Sequence, residues 1–502
     1  MPNLACTGHV QTRRSLVFAL MHFLNIPLDT NSCARSDTNL IHMETPTPTL
    51  DSIRTSRFSK WLAKAPEFIF ILFAVTAAFS TYFCMYAFRK PFTAAKFEGL
   101  MFFETEVTLK TALVISQILG YALSKYVGIK VCSEIQPAQR AKALLWLILG
   151  AQLSLVLFGL APDDWRFAAI FLNGLPLGMV WGLVVWYLEG RRTSEILLAG
   201  LSCSFIVSSG IVKDFGRAMM SGGVADAWNW FPLFGPMIAR ALGEVSEAWM
   251  PAVVGAHFLP LFFLSVWMLN QLPPPSVQDT DARTARQPMD GKKRISFVKH
   301  FLPGLALLMI AYFFLTAYRD FRDNYMVEIL DGLGYPYADN QTIISRTETL
   351  VAFGVMVTMA LLNTIKHNRA GLVGAFVVMT AGVLLLGGST LLFDWGVISG
   401  FWWLTLTGFG SYLAYVPYGS LLFDRMMAST KVVGTAVFAI YVADAIGYTG
   451  SVGIQLYKDL AQGDMSRLGF FKAFTWFMTF FGAFCLISSC IYFFRKSAPS
   501  DK

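Results

Sequence analysis

Two adjacent cations close the first long apolar run of the chain, inside a segment rich in aromatic residues. Arg89 and Lys90 are preceded by Tyr82 and Tyr86, which lie seven and three residues before Arg89. A helix places these tyrosines and Arg89 on one face. A planar guanidinium, an ammonium and two phenols form a set that binds an anion. The alternative is that both cations extend along the helix to the surface.

A second group of charges closes the seventh apolar run. Arg319 and Asp323 are four residues apart and would pair on a helix, which leaves Arg322 and Asp320 in need of other partners. One interpretation is a helix end that neutralises itself, with the aspartates as charge partners. The other is that Arg319, or less favourably Arg322, mirrors Arg89 and completes a clamp for an anion.

Charged residues also lie in the eleventh apolar run and at the end of the fifth. Asp444 is far from both ends of its run, so its side chain has no short route to water. It is a candidate proton-coupling carboxylate, a partner for a clamp arginine, or a neutral buried acid. By contrast, in the group Lys213, Asp214 and Arg217, the last two are three residues apart and are expected to form a structural pair on their own helix.

Two helix ends repeat a pattern of an acid, then arginine, then a Ser/Thr pair. From this pattern we expect Glu189, Arg192, Asp424 and Arg425 to form ion pairs of an inner gate, with Lys125 as a further member. The pattern also predicts a repeat that relates the first six apolar runs to the last six. Paired six-helix halves of this kind hold their binding site at the interface between them.

Composition indicates a membrane protein. Of 502 residues, 55% are hydrophobic and 14% are charged, and the mean hydropathy is +0.53. Lipid accepts only helices or closed barrels, and a helix needs about 20 apolar residues to cross it. The sequence therefore predicts an all-α, polytopic protein with twelve spans, at about 66–88, 108–127, 142–161, 167–188, 195–213, 250–270, 301–320, 345–364, 371–393, 399–422, 432–455 and 470–494.

The net charge of +8 does not indicate nucleic-acid binding, because the basic residues fall mostly in every second loop. This distribution predicts that both termini are cytoplasmic. The sequence has no phosphate-binding glycine loop, no His-Glu-x-x-His and no Cys-x-x-Cys. We therefore expect no cofactor, no metal and no enzymatic activity, and we expect a monomer whose partners are the lipid bilayer and a small anionic solute.

Four segments follow from these patterns. Residues 1–60 are expected to be a disordered cytoplasmic extension, with Met43 as an alternative start. Residues 61–270 form the first six-helix half and residues 301–497 the second. Between them, residues 271–300 are rich in proline and polar residues and predict a flexible cytoplasmic linker.

The segment Gly120–Lys130 resembles the loop between the second and third helices of the major facilitator superfamily, except that Ser124 replaces the usual acid. Arg89, Lys90, Phe92 and Arg319 resemble the organophosphate:phosphate antiporters, a branch of that superfamily with a consecutive Arg-Lys in helix 1 and a second arginine in helix 7. The resemblance implies the major facilitator fold over residues of about 60–497.

Four longer stretches resemble an uncharacterised family of bacterial integral membrane proteins, which implies no substrate. They begin at Tyr86, Gly120, Pro176 and Tyr318.

We therefore expect a transporter of the bacterial inner membrane that moves a small organic anion, a phosphate ester or carboxylate, by alternating access. One alternative is a symporter in which Asp444 couples protons to an uncharged sugar or nucleoside. Another is a membrane sensor that binds a solute without transporting it.

Overall fold

The computed structural model describes residues 56–189, 191, 193–221, 244–275, 279, 291–336, 339–430 and 436–497, all within one compact unit, Thr55–Lys502. Twelve long helices, α1 to α12, lie on the twelve apolar runs that the sequence predicts. They are Glu67–Arg89, Leu109–Glu134, Arg140–Leu160, Arg166–Leu188, Ser194–Met220, Met250–Asn270, Gly291–Asn324, Ile343–Asn363, Asn368–Asp394, Gly400–Ser420, Ala436–Ala461 and Arg467–Lys496.

Within the described residues, nine of these helices are long and apolar enough to cross a membrane. The other three, α2, α10 and α11, are more polar or extend into residues that are not described. The expectation of an all-α membrane protein with twelve long helices is confirmed.

The buried apolar side chains form two cores. One core lies within residues 74–269 and also takes in Tyr448, and the other lies within residues 301–493 and also takes in Ile206. Each half therefore buries its own apolar surface. The halves meet where α5 packs along α8 and where α2 packs along α11.

Gly210 allows α5 and α8 to cross closely. A Cβ at this position would lie 2.9 Å from the Cβ of Glu348 and 2.9 Å from the carbonyl oxygen of Ile344. Both distances are shorter than a normal van der Waals contact, so any larger residue would push the two halves apart.

The first helix ends inside the protein. After Arg89 the chain continues as a tight turn, Pro91–Ala94, and every side chain from Arg89 to Ala95 is buried. Arg89 keeps 9% of its surface exposed and Lys90 keeps 6%. These values exclude the alternative in which both cations extend to the surface of the membrane.

The predicted domain boundaries stay predictions. Residues 1–55 of the expected extension lie outside the described residues, and its last part forms a short helix, Arg57–Leu62, capped by Ser56. Most of the expected linker, 276–278 and 280–290, is likewise outside the described residues. Helix α7 already begins at Gly291, within the segment predicted as linker.

Replacing Gly210 with alanine should destabilise the protein, because the new methyl group would overlap α8 at the interface. Overpacking of this kind costs about 1–3 kcal/mol. Gly388→Ala is the control, because a Cβ there meets nothing within 4 Å. We expect the melting temperature of the purified protein to fall for Gly210→Ala only. Equal melting temperatures for the two variants would contradict the close crossing.

Candidate functional site

Arg89 points its guanidinium at tyrosines. Its Cζ lies 4.0 Å from the centre of the Tyr121 ring on α2 and 5.6 Å from that of Tyr86. The main chain of Arg89 is fixed by Gln117, whose Nε2 donates to the Arg89 carbonyl oxygen over 2.9 Å. Among the described residues, no carboxylate lies within ion-pair distance of Arg89, and its Nε has no hydrogen-bond partner.

Arg319 has a similar position in the second half. Its Cζ lies 3.9 Å from the centre of the Tyr415 ring on α10, and its Nη2 lies 2.6 Å from Oδ1 of Asp320. Each arginine thus stacks on a tyrosine of its own half. Tyr86 interacts electrostatically with both Arg89 and Arg319.

An ion pair between the halves lies between the Arg89–Tyr121 contact and the Arg319–Tyr415 contact. Lys125 Nζ lies 2.6 Å from Oδ2 of Asp444, and the Tyr312 hydroxyl donates to Oδ1 of Asp444 over 3.0 Å. Lys125 also lies 5.5 Å from the ring of Tyr121, on which Arg89 stacks. On the other side, Tyr312 stacks on Tyr415 with ring centres 5.3 Å apart.

These residues form one cluster at the interface of the halves, which we call the arginine–tyrosine ring. In order, its members are Arg89, Tyr121, Lys125, Asp444, Tyr312, Tyr415, Arg319 and Tyr86. Tyr82 packs next to these residues. The centre of its ring lies 5.7 Å from that of Tyr86 and 4.8 Å from that of Trp181.

Asp323 pairs across the interface and not with Arg319. It forms an ion pair with Lys90 of α1, and its Oδ1 lies 2.5 Å from Nζ of Lys213 on α5. Ser209 donates to the same oxygen, and Lys90 also donates to Oδ1 of Asn324 over 2.9 Å. The expected local pair of Arg319 and Asp323 is therefore wrong, because Asp323 faces the first half while Arg319 turns towards Asp320 and α10.

Arg322 lies outside the arginine–tyrosine ring. Its Nη1 donates to Oε1 of Glu348 over 2.7 Å, and its Nη2 donates to the carbonyl oxygen of Leu404 over 3.0 Å. Both charged side chains are 1% exposed. Gly408 on α10 leaves the space that the guanidinium fills, because a Cβ there would lie 2.4 Å from Nη2. The helix end neutralises itself only in part, since Arg319 pairs with Asp320 but Arg322 and Asp323 find partners on other helices.

The buried charges around α7 do not balance. The group contains five cations and three carboxylates, which leaves two positive charges in excess; its members are Arg89, Lys90, Lys213, Arg319 and Arg322 with Asp320, Asp323 and Glu348. The adjacent pairs Lys125–Asp444 and Arg217–Asp214 are each neutral and do not change the excess.

Further polar contacts join the halves beyond Asp323, on the side where α1 ends and α2 begins. Lys110 Nζ lies 2.5 Å from Oε1 of Glu328, and Lys96 Nζ lies 2.7 Å from Oδ2 of Asp331. The hydrogen bond to Asp331 raises the pKa of Lys96, which lies in the loop between α1 and α2. We call this side of the bundle the Asp323 side; here the two halves are tied together by several ion pairs.

Of the residues expected at an inner gate, Lys125 and Arg425 contact residues outside that set. Lys125 pairs with Asp444, as described above. Arg425 donates to the carbonyl oxygen of Lys366 and to Asn368, both in its own half. Glu189 ends α4, Asp424 is an exposed residue in the first turn of the helix Leu422–Thr430, and Arg192 lies outside the described residues. The inner-gate role of Glu189, Arg192, Asp424 and Arg425 stays a prediction.

The sequence did not identify several residues that form the interface between the halves. Lys213 was grouped with the local pair of Asp214 and Arg217, but it bonds Asp323. Asp214 forms the expected pair with Arg217 and also accepts a hydrogen bond from the backbone N–H of Ser345 on α8 over 2.7 Å. Glu348 stands out in hindsight as a carboxylate inside an apolar run. Tyr121 and Tyr312 carry no such signal, because aromatic residues are common in membrane helices.

A family model matches residues 91–496, which contain all of α2 to α12. The chain belongs to this family of unknown function (DUF5690). The matched segment includes Arg319, Asp323 and Asp444 and begins directly after Lys90. No curated protein sequence matches the chain.

Crystal structures of a bacterial homolog of the human lysosomal transporter Spinster are similar to this chain. The inward-facing, occupied form is 13% identical, with a TM-score of 0.50 over 85% of this chain and 98% of that one. The inward-facing, unoccupied form is 11% identical, with a TM-score of 0.51 over 88% and 96%. The nucleoside transporter NupG is 11% identical, with a TM-score of 0.49 over 84% and 99%.

At these identities the likeness to the Spinster homolog concerns the fold alone. It confirms the expected major facilitator fold. These similar structures do not include an organophosphate:phosphate antiporter. The closer relationship to that branch of the superfamily therefore stays a prediction.

Removing the charge of Glu348 should destabilise the protein strongly, because Arg322 would be left buried without a counter-ion. Breaking a buried ion pair costs about 3–5 kcal/mol. The control is Asp394→Asn, which breaks the pair with Lys472, whose side chains are 32% and 37% exposed. Exposed pairs contribute about 0–1 kcal/mol. We expect the melting temperature to fall for Glu348→Gln and to stay constant for Asp394→Asn; equal small effects would contradict the buried pairing.

Proposed function

We propose that this protein is a secondary transporter that carries a small organic anion, a phosphate ester or a carboxylate, across the bacterial inner membrane by alternating access. Both termini would lie in the cytoplasm, so the Asp323 side would face outward. The fold is one that transporters such as the Spinster homolog use. The proposal for the solute rests on the charges of the site and not on the fold.

The observation that carries the proposal is the buried guanidinium of Arg89, which faces tyrosines and has no carboxylate partner among the described residues. A charge removed from water costs several kcal/mol unless it is paired. Stacking on an aromatic face recovers about 2 kcal/mol or more of this cost when the cation is desolvated, but it leaves the charge without a counter-ion. A bound anion would supply the missing partner.

The geometry supports binding between the halves. Arg89 and Arg319 approach Tyr86 from the two halves, and Lys90 adds a third cation beside Arg89. A phosphate or carboxylate group would accept hydrogen bonds from both guanidinium forks and from the Tyr86 hydroxyl. Tyr82 would hold Tyr86 in place through their ring contact.

Binding of the anion would also favour movement of the halves. The ion pairs of Asp323 with Lys90 and Lys213 join the halves on one side and must break when that side opens. Without solute, Arg89 and Arg319 repel each other across the interface. An anion shared by them relieves this repulsion and lowers the free energy of states in which the halves rearrange.

The alternative of an uncharged sugar or nucleoside is less well supported. Asp444 does lie in the arginine–tyrosine ring, where a coupling carboxylate would be useful. An uncharged solute would nevertheless leave the two excess positive charges without compensation. The anion accounts for both the charge excess and the orientation of Arg89.

The test is exchange in liposomes that contain the purified full chain. Vesicles loaded with inorganic phosphate, glycerol phosphate or succinate are placed in labelled phosphate or labelled succinate, and the exchange rate is measured. Arg89→Gln and Arg319→Gln should lower this rate by about 30-fold or more, because a desolvated, hydrogen-bonded charge contributes at least about 2 kcal/mol.

The control is Arg166→Gln, which removes an arginine paired with Asp163 at the protein surface. It should exchange at the rate of the unmodified protein. Equal exchange by all four proteins would contradict the anion clamp. Solute binding without any flux would instead indicate the sensor that the sequence left open.

A further inference from the structure

Asp444 joins the two halves through an ion pair to Lys125 on α2. Its side chain is 15% exposed and that of Lys125 is 18% exposed, against 10% for Asp323 and 7% for its partner Lys90. Asp444 is therefore more accessible to water than the carboxylate that ties the halves on the Asp323 side.

Lys125 lies beside the place where we expect the anion. Its Nζ is 5.5 Å from the ring of Tyr121, and the Cζ of Arg89 is 4.0 Å from the same ring. Lys125 is thus a further cation next to Arg89. In the described state its charge is neutralised by Asp444, so it is not available to a solute.

Among the described titratable groups of this cluster, Asp444 is the carboxylate, and its neighbours are a lysine and four tyrosines. The titratable groups that interact with it are Lys125 of α2, Tyr121 of α2, Tyr312 of α7, Tyr415 of α10 and Tyr448 of α11. Lysine and tyrosine side chains already carry their protons. A proton that enters this group from water therefore has the carboxylate of Asp444 as its acceptor.

We propose that Asp444 is the proton-coupling site of this transporter, so that the anion and a proton are carried together. A proton from water would bind Oδ2 of Asp444, and the ion pair with Lys125 would be lost. Lys125 would keep its own three protons and turn them towards the anion beside Arg89. On the opposite side of the membrane the anion leaves, Asp444 releases its proton to water, and Lys125 pairs with it again.

The inference rests on the proposed anion transport and adds a driving force to it. Protonation of Asp444 frees a cation for the anion, so each ligand strengthens the binding of the other by the same factor. An inward gradient of protons would then accumulate the anion. For one proton per anion and a gradient of one pH unit, the predicted accumulation is about tenfold.

The experiment measures steady-state accumulation of labelled phosphate, and separately of labelled succinate, in liposomes containing the full chain. The exterior is one pH unit more acidic than the interior, and the membrane potential is held at zero. We expect accumulation by the unmodified protein and by Asp394→Asn, which removes an exposed carboxylate outside the ring. Asp444→Asn should exchange anions without a gradient but should not accumulate them. Because the probe ionises identically in every sample, the comparison isolates Asp444.

The possible outcomes test the proton coupling and the anion transport separately. Exchange without accumulation by the unmodified protein overturns the proton coupling and leaves the anion transport intact. Accumulation by Asp444→Asn overturns it as well. If Asp444→Asn fails to exchange, Lys125→Gln replaces it, and accumulation by that variant overturns the coupling. If the unmodified protein exchanges neither phosphate nor succinate, both proposals fail together.

Discussion

Charge buried at the interface of two apolar halves is the constraint on which this structure depends. Each ion taken out of water costs several kcal/mol unless another charge compensates it. Around α7 the described residues include five buried cations and three carboxylates. Each of these carboxylates already has a cationic partner: Asp323 bonds two lysines, Glu348 bonds Arg322, and Asp320 bonds Arg319. The excess falls beside Arg89, whose guanidinium contacts two tyrosine rings and, among the described residues, no carboxylate.

The same charges connect the site to the movement of the halves. Lys90 lies next to Arg89 in the chain and also bonds Asp323 of the other half. A solute that approaches Arg89 therefore acts on a cation that holds the interface together. The pair of Lys125 and Asp444 connects the halves at a second point, through α2 and α11. Two contacts of different burial thus border one site.

Much of the fold follows from the sequence, because twelve long apolar runs permit little else. Arg89, Lys90 and Asp444 could also be found, since a charge inside an apolar run is conspicuous. The pairing could be predicted only in part. Spacing on one helix favoured Asp214 with Arg217, which do pair. It also favoured Arg319 with Asp323, which do not pair because Asp323 reaches Lys90 and Lys213 across the interface. Such contacts depend on how closely α5 and α8 cross. Gly210 permits this close crossing, but no local sequence pattern predicts it.

The most direct test of the account is anion binding measured by the melting temperature of the purified full chain. Phosphate, glycerol phosphate and succinate would be compared with glucose and with chloride at equal ionic strength. A ligand that binds only the folded protein raises its melting temperature. We predict that at least one of the three organic or phosphate anions raises it for the unmodified protein and not for Arg89→Gln. The same rise in Arg89→Gln, or a rise with glucose alone, would contradict the account.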